Sequence, residues 1–343
     1  MTAAAADFPI ALPPALGGAT SLGFGVHWLR LPVPGGLKHI NLWLLEDGDG
    51  WTLVDTGMNV TAAREAWEGP LARILDGRPI TRIICTHHHP DHAGLAGWLA
   101  ARHRAPVYMS AAEERLLRAL VGPGTDPDVL RQRTAAFERA GLEITDLMRP
   151  VVALEGYRRA TSGMPGEIRR LAGGDELSIG GVRWVALEVA GHTDGQIVLH
   201  APAAGLLIGG DQVLPRITSN IGIYPEREDP DPVASYLDSF AALEALAPEP
   251  LVLPSHGDVF RGLRARLGEL RRHHAETLAR VEGLVAAPQT AAEVAERLFR
   301  APLDPLNRML ALGESLAHLE HLVRRDRLRM VASEGAARRY VRA

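Results

Sequence analysis

A histidine-rich run in the first third of the chain limits the fold more than any other feature. The run, Thr86-His-His-His-Pro-Asp-His92, follows the apolar stretch Ile80–Cys85, whose aliphatic residues are typical of a buried strand. His87 and His89 are two residues apart, so in an extended segment their side chains point to the same side. With Asp91 and His92, four candidate ligands lie within six residues, which suits two neighbouring ions of zinc, manganese or iron. The run predicts a two-metal site at the end of a strand.

Three later residues repeat this arrangement. His192, Asp211 and His256 each come shortly after an apolar stretch and beside a glycine, where the backbone can turn tightly. Strand ends along one edge of a sheet converge on one place, so we expect these side chains to join the first run. The predicted metal ligands are His87, His89, Asp91, His92, His192, Asp211 and His256.

Short apolar stretches bounded by Gly, Pro or Asp predict strands through the first 260 residues. They are Leu42–Leu45, Trp51–Val54, Ile80–Cys85, Pro106–Met109, Val182–Leu187, Ile197–His200, Leu206–Ile208 and Leu251–Leu253. Helical spacing over Ala93–Arg104 and Pro232–Leu246 adds helices between them, which indicates a layered α/β fold. Residues 110–174 show helical patterns and no clear strand, so we predict a helical insertion there.

The strand pattern stops after Arg261. Helical patterns cover Leu263–Val285, Thr290–Phe299 and Glu314–Arg325, and a candidate hairpin runs from Arg327 through Gly335 to Arg342. We therefore predict a winged-helix-like domain over residues 261–343, after a catalytic domain over residues 1–260.

The composition favours a soluble globular protein, with 46% hydrophobic and 23% charged residues. No run of 18 apolar residues predicts a membrane helix. Met1 to Gly18 has no Lys or Arg before its apolar stretch, unlike a secretory signal. The single cysteine, Cys85, excludes an intrachain disulfide and fits a reducing compartment. We expect a cytoplasmic protein that does not bind a membrane.

The net charge of −4 gives no reason to expect nucleic acid as the main partner. From Arg261 onward, however, sixteen Arg stand against ten Asp or Glu, a net charge of +6. Basic and acidic residues interleave there, and few aromatic residues are available for base stacking. We expect this region to pack on the catalytic domain and shape its site, and RNA binding is the alternative.

Together, the ordered motifs resemble those of the metallo-β-lactamase-fold hydrolase superfamily, in its glyoxalase II and lactonase-like branch. The family's HxHxDH motif is similar to His87–His92, and its GHTxG motif is similar to Gly191–Gly195. Asp211 and His256 match its bridging Asp and its last metal-binding His, and Val54–Gly57 matches an earlier strand that ends in Asp-Thr-Gly. The resemblance covers residues 20–260.

This resemblance implies an αββα sandwich with the metal ions at one edge. It also implies how the ligands are shared: His87, His89 and His192 on one ion, Asp91, His92 and His256 on the other, and Asp211 on both. Asp55 would hydrogen-bond near the ligands without binding metal. The expected cofactors are two divalent ions, zinc first and manganese or iron as alternatives. His88 stands at the motif's variable position and is interpreted as a bystander.

Two neighbouring ions can bind a bridging hydroxide at neutral pH. We expect that hydroxide to attack the carbonyl of a small ester, thioester or lactone, with Asp91 as the catalytic residue that takes up the proton. Apolar residues such as Trp28, Leu31 and Met58 would suit an acyl substrate. The alternative is a metal-dependent ribonuclease or phosphodiesterase whose basic C-terminal module holds single-stranded nucleic acid. A metal-bound receptor without catalysis is a third interpretation, and a homodimer is left open.

Overall fold

A seven-stranded sheet forms the first half of the fold. The computed structural model describes residues 6–122, 127–299, 302–331 and 337–343, and within them this sheet follows chain order. Its strands are β1 (Ala19–Ser21), β2 (Val26–Pro32), β3 (His39–Asp47), β4 (Gly50–Val54), β5 (Ile80–Ile84), β6 (Val107–Met109) and β7 (Ile168–Arg170). Neighbours are antiparallel from β1 to β4 and parallel from β4 to β7. The carboxyl ends of β4 and β5 therefore lie at the same edge.

The second sheet brings three more strand ends to one edge. Its strands are β8 (Glu176–Ile179), β9 (Val182–Val189), β10 (Gln196–Ala201), β11 (Leu206–Gly210) and β12 (Leu251–Pro254). Both β9 and β11 are antiparallel to β10, which lies between them, and β12 is parallel to β11. The strands β9, β11 and β12 consequently run in the same direction, and their carboxyl ends meet.

The two sheets are apolar on both faces because each is covered on both sides. In β3, Trp43 and Leu45 point into the core between the sheets, whereas Leu42 and Leu44 point to the outer helices. This alternation follows from the period of two along a strand. It explains why the strand reads as a continuous apolar run in the sequence.

Helices cover the outer faces of both sheets. The described helices are α1 (Thr61–Glu68), α2 (Pro70–Leu75), α3 (Pro90–Ala93), α4 (Ala96–His103), α5 (Ala111–Val121), α6 (Pro127–Arg139), α7 (Arg149–Val152), α8 (Glu155–Arg159), α9 (Pro232–Glu244), α10 (Leu263–Leu284), α11 (Ala291–Leu298) and α12 (Pro305–Val323). Trp67 of α1 and Leu99 of α4 pack on the first sheet. Tyr236 and Phe240 of α9 pack on the second, together with Leu267 of α10. The predicted αββα sandwich is confirmed.

A helical region follows the sandwich at the C-terminal end. The helices α10, α11 and α12 share a core with the hairpin formed by β13 (Leu328–Val331) and β14 (Arg339–Arg342). Phe137 of α6 packs in the same core, so the C-terminal region rests on part of the predicted insertion. Gly335, which was placed in the predicted hairpin, lies outside the described residues.

Two element predictions need correction. The stretch 110–174, predicted as a helical insertion, is helical only as far as Arg159, because Ile168–Arg170 returns to the first sheet as β7 beside β6. Three residues with two arginines give no periodic signal, so the strand was missed. The last helix begins at Pro305 and not at Glu314, with Asp304 as its N-cap. Among the described helices, none is both long and apolar enough to span a membrane.

Gly94, in the turn between α3 and α4, provides a test of this packing. An added Cβ there would lie 2.6 Å from the Ala160 carbonyl oxygen and 2.8 Å from that of Gly57. We expect Gly94→Ala to lower the free energy of unfolding by about 1–3 kcal/mol, the usual cost of overpacking. Thermal unfolding would measure the loss, with Gly36→Ala as the control, because a Cβ at Gly36 meets nothing within 4 Å. Equal melting temperatures for the two variants would contradict the packing.

Candidate metal centre

Five strand ends bring the predicted ligands and Asp55 to one edge of the sandwich. Asp55 follows β4, and the run from His87 to His92 follows β5 and continues into α3. His192, Asp211 and His256 follow β9, β11 and β12 in the other sheet. Because these strand ends meet at one edge, the structure brings all seven predicted metal ligands together, and groups of three among them could hold an ion.

The first group contains three imidazole nitrogens that face one another. His87 Nε2 lies 3.0 Å from His89 Nδ1, and His192 Nε2 lies 3.3 Å and 3.1 Å from these two atoms. A tetrahedral zinc ion with Zn–N bonds of about 2.0–2.1 Å holds its ligand nitrogens about 3.3 Å apart. The observed spacing fits one ion at the centre of this group.

The second group lies beside the first and contains a carboxylate. Asp91 Oδ2 lies 3.3 Å from His256 Nε2 and 3.8 Å from His92 Nε2. Asp211 stands between the groups: its Oδ1 lies 3.5 Å from His92 Nε2, and its Oδ2 lies 3.5 Å from His192 Nε2. One oxygen of Asp211 thus faces each group, as a bridging ligand requires.

Unsatisfied polar atoms test whether metal ions fit this site. His92 Nε2, His256 Nε2 and Asp211 Oδ1 are buried and have no hydrogen-bond partner within the described residues. A buried polar atom without a partner costs about 1–3 kcal/mol, and more when it is charged. These three atoms converge on the second group, where a divalent ion would satisfy them all. The donor set of imidazole and carboxylate therefore fits divalent metal ions.

The other ring nitrogen of each of these histidines is held in place by a neighbour. His92 Nδ1 donates at 2.8 Å to Oδ2 of Asp55, the residue expected to hydrogen-bond near the ligands. His192 Nδ1 donates to the Asn220 carbonyl oxygen at 2.9 Å, and His256 Nδ1 donates to a backbone carbonyl at 2.8 Å. Such contacts orient a metal-binding ring and leave its second nitrogen free for the ion.

The two groups differ in their electrostatics. Burial and the neighbouring imidazoles lower the pKa of His87 and of His89 well below the usual range, so both rings are neutral, the form that binds metal. Burial would also lower the pKa of His92, but the carboxylates of Asp55 and Asp211 outweigh it and raise that pKa. The second group therefore attracts positive charge.

Two residues that could suggest other chemistry have structural surroundings. Ser255 precedes His256, but both ring nitrogens of His256 face other groups, so the two residues form no nucleophile–base pair. Cys85 is fully buried in the core of the first sheet, where burial raises the pKa of its thiol.

Trp28, predicted to face an acyl substrate, is instead fully buried between the sheets.

The sequence interpretation missed the partners of His88. Its ring lies against Glu113 in α5, with Nδ1 2.6 Å from Oε2, and its carbonyl oxygen accepts a hydrogen bond from Tyr157 in α8. Burial raises the pKa of Glu113, but His88 and the hydrogen bonds to the carboxylate bring it to about 2. Ser110 and Glu113 have the spacing of a capping box. In the sequence this spacing indicates only the start of a helix, so it does not reveal the contact between Glu113 and His88.

The C-terminal region also reaches the site. Glu314 of α12 accepts a hydrogen bond from Asn220 Nδ2 at 3.1 Å, and Tyr224 donates to Asn220 Oδ1 at 2.7 Å. Asn220 in turn supplies the carbonyl oxygen that holds His192. The helix α12 therefore supports the loop that contains Asn220. This helix lies more than 100 residues after the first run of predicted ligands, so no local pattern could predict the contact.

Comparisons with known proteins agree with this geometry. Residues 35–256 match the family model described as the metallo-beta-lactamase superfamily, and residues 278–343 match the one described as its metallo-beta-lactamase-like C-terminal domain. Because the first match covers more than half of the chain, the chain belongs to the metallo-beta-lactamase superfamily. The predicted family is confirmed, and the chain is a metallo-hydrolase of that superfamily.

Two similar proteins and two similar structures illustrate the relationship. "Probable metallo-hydrolase YqjP" of Bacillus subtilis (strain 168) is 28% identical over 313 residues, which cover 86% of this chain and 91% of that protein. A hydroxyacylglutathione hydrolase of Fuscovulum blasticum is 25% identical over 292 residues, covering 79% and 90%. The crystal structure of a beta-lactamase domain protein from Burkholderia ambifaria has a TM-score of 0.86 and 38% identity, covering 98% of this chain and 97% of that one. A metallo-beta-lactamase family protein from Thermus thermophilus has a TM-score of 0.82 and 29% identity, covering 94% and 100%.

The partly buried carboxyl of Glu314 predicts a pH-dependent stability. Burial raises its pKa to about 7, so the folded state favours the neutral form, and this side chain costs stability as the pH rises from about 4.5 through 7. Glu314→Gln is neutral at every pH and can still accept from Asn220. We expect the variant to be more stable than the wild type by about 1–3 kcal/mol at pH 8 and nearly equal at pH 5.

Thermal unfolding across this pH range would measure the effect. Glu276→Gln, at an exposed position of α10, is the matched control. A Glu314→Gln variant that gains no stability over the wild type between pH 5 and pH 8 would contradict the raised pKa of this carboxyl.

Proposed function

We propose that this metallo-hydrolase uses two divalent metal ions to hydrolyse a small ester, thioester or lactone. The observation that carries the proposal is the placement of Asp211, whose two carboxylate oxygens face two separate groups of ligands. We further propose zinc as the first candidate metal, because imidazole nitrogen and carboxylate oxygen are common zinc ligands. We also propose a cytoplasmic location, as the sequence predicts.

The assignment of ligands follows the two groups. His87, His89 and His192 would hold one ion, and Asp91, His92 and His256 would hold the other, with Asp211 on both. Bound there, the ions would polarise a carbonyl oxygen and lower the pKa of water from about 15.7 toward about 7. No protein nucleophile is then required.

The protein side chains then have two tasks in the proposed reaction. The rings are oriented by fixed partners, such as the Asp55 carboxylate at His92, so that little reorganisation is needed when a substrate binds. The Asp91 carboxylate lies at the second group with Oδ2 3.3 Å from His256 Nε2. We assign to Asp91 the proton that water releases as it adds to the carbonyl carbon.

Two observations support an acyl substrate. The relatives named hydroxyacylglutathione hydrolase act, by that name, on an acylated glutathione, and one of them aligns over 79% of this chain. In addition, arginines of the C-terminal region are engaged within the protein: Arg327 pairs with Glu282, and Arg339 pairs with Glu293. Such pairs reduce the positive charge available to phosphates. These ion pairs favour the proposal that the C-terminal region shapes the site over the proposal that it binds nucleic acid.

A metal-dependent ribonuclease or phosphodiesterase is the second candidate function. The observation that favours it is the net charge of +6 from Arg261 onward. Exposed arginines such as Arg329 lie on the hairpin strand β13, where they could contact a phosphate backbone.

The first experiment measures metal content and activity on the same sample. We expect about two metal ions per chain, with turnover of thioesters or lactones and little cleavage of bis(nitrophenyl) phosphate or RNA. Removal of the metals by a chelator should abolish turnover, and added zinc should restore it. Two metals with cleavage of phosphodiesters alone would replace the proposed function by the second candidate, and full occupancy without any turnover would indicate a receptor.

Asp91→Asn tests the proposed proton acceptor. We expect the value of kcat to fall by about 100-fold or more at matched metal content, since general acid–base groups contribute about 10²–10⁴-fold. Asp49→Asn, at an exposed turn between β3 and β4, is the control and should retain wild-type activity. Wild-type kcat in a fully metallated Asp91→Asn variant would remove Asp91 from the proton chemistry.

A further inference from the structure

The structure assigns a positioning role to Glu113: we propose that its carboxylate clamps the two loops that carry the three-histidine group, and so sets the affinity of that group for metal. This inference rests on the proposed metal site. It names a residue that lies outside the ligand motifs and on a helix of the predicted insertion.

The first loop is bound through His88. Glu113 Oε2 accepts the backbone N–H of His88 at 2.9 Å and lies 2.6 Å from His88 Nδ1. His88 stands between the proposed ligands His87 and His89. Its backbone position therefore determines the separation and direction of the two neighbouring rings.

The second loop is bound through Gly195. Glu113 Oε1 accepts the backbone N–H of Gly195 at 3.0 Å, and Gly195 lies three residues after the proposed ligand His192. The start of α5 approaches this loop closely, because a Cβ added at Gly195 would lie 3.0 Å from Ala112 Cβ and 3.0 Å from Ser110 Oγ. One carboxylate thus bridges the loop after β5 and the loop after β9.

The position of Glu113 is itself well fixed. The residue is fully buried and lies in the first turn of α5, where the helix dipole stabilises a negative charge. Tyr157 donates to the His88 carbonyl oxygen, so both backbone polar groups of His88 are bonded. The His88 peptide therefore has little freedom to move away from the site.

A carboxylate is needed here because both oxygens accept hydrogen bonds. A glutamine at this position has one acceptor oxygen, and its NH₂ group would face a backbone N–H in one of the two loops. One loop would lose its bond and shift relative to the other. Loss of a group that orients metal ligands typically reduces metal affinity by about 10–100-fold.

The decisive experiment measures zinc affinity, not activity. Metal-free wild type, Glu113→Gln and Glu114→Gln would be titrated with zinc in competition with a chromophoric chelator. Glu114 is the matched control, since it is the next residue of α5 and its carboxylate pairs with Arg118 and Arg170. We expect zinc affinity to fall about 10–100-fold in Glu113→Gln and to stay at the wild-type value in Glu114→Gln.

If the Glu113–His88 pair only stabilises the fold, the zinc titration gives a different result. In that case Glu113→Gln would lower the melting temperature of the metal-free and zinc-bound proteins equally and leave zinc affinity close to the wild-type value. That outcome would overturn the proposal.

A measurement on the wild type keeps the proposal testable if Glu113→Gln does not fold. Hydrogen exchange of the metal-free wild-type protein should show protected amides at His88 and Gly195, because the clamp does not depend on metal. Rapid exchange of either amide would refute the clamp. Absence of zinc binding by the wild type would refute the proposed function instead, so the two failures are distinguishable.

Discussion

Burial of imidazole and carboxylate groups at one edge of the sandwich is the constraint on which the rest of the structure depends. Removing such groups from water is costly unless each finds a partner. Every proposed ligand except the partly exposed His89 is buried, and three of their polar atoms have no partner within the described residues. Protein contacts therefore satisfy the outer atoms of the site, whereas these three inner atoms face a place that a divalent cation would fit.

The outer contacts show how distant parts of the chain support this site. The β4 end supplies Asp55 to His92, the loop after β11 supplies the Asn220 carbonyl to His192, and α5 supplies Glu113 to the loop between His87 and His89. Segments outside the sheets thus have a structural task at the site. The helices between β6 and β7 hold one ligand loop, and α12 of the C-terminal region holds the loop that contains Asn220.

Most of the fold could be predicted because both sheets are covered on both faces and give short, continuous apolar stretches. The strands β1, β2 and β8 were not among the predicted stretches, and two further misses have physical reasons. The strand β7 is three residues long and contains Arg169 and Arg170, so it carries no apolar signal, and its place in the sheet is set by pairing with β6. His88 looked like a bystander because its partner lies 25 residues away in sequence, and a hydrogen bond to a distant helix leaves no local pattern.

The sequence by itself determined which residue types meet at the candidate metal centre. The residue types, their order and their positions after apolar stretches predicted the seven proposed ligands, since the carboxyl ends of strands that run the same way share an edge, and the family resemblance added Asp55. Only the tertiary structure decided which atoms face one another: Nδ1 of His89 but Nε2 of His87, and one oxygen of Asp211 toward each group. It also decided that Glu113 and Glu314 belong to the surroundings of the site. Such contacts depend on the packing of separate helices against the ligand loops, and packing between distant segments cannot be read from local sequence.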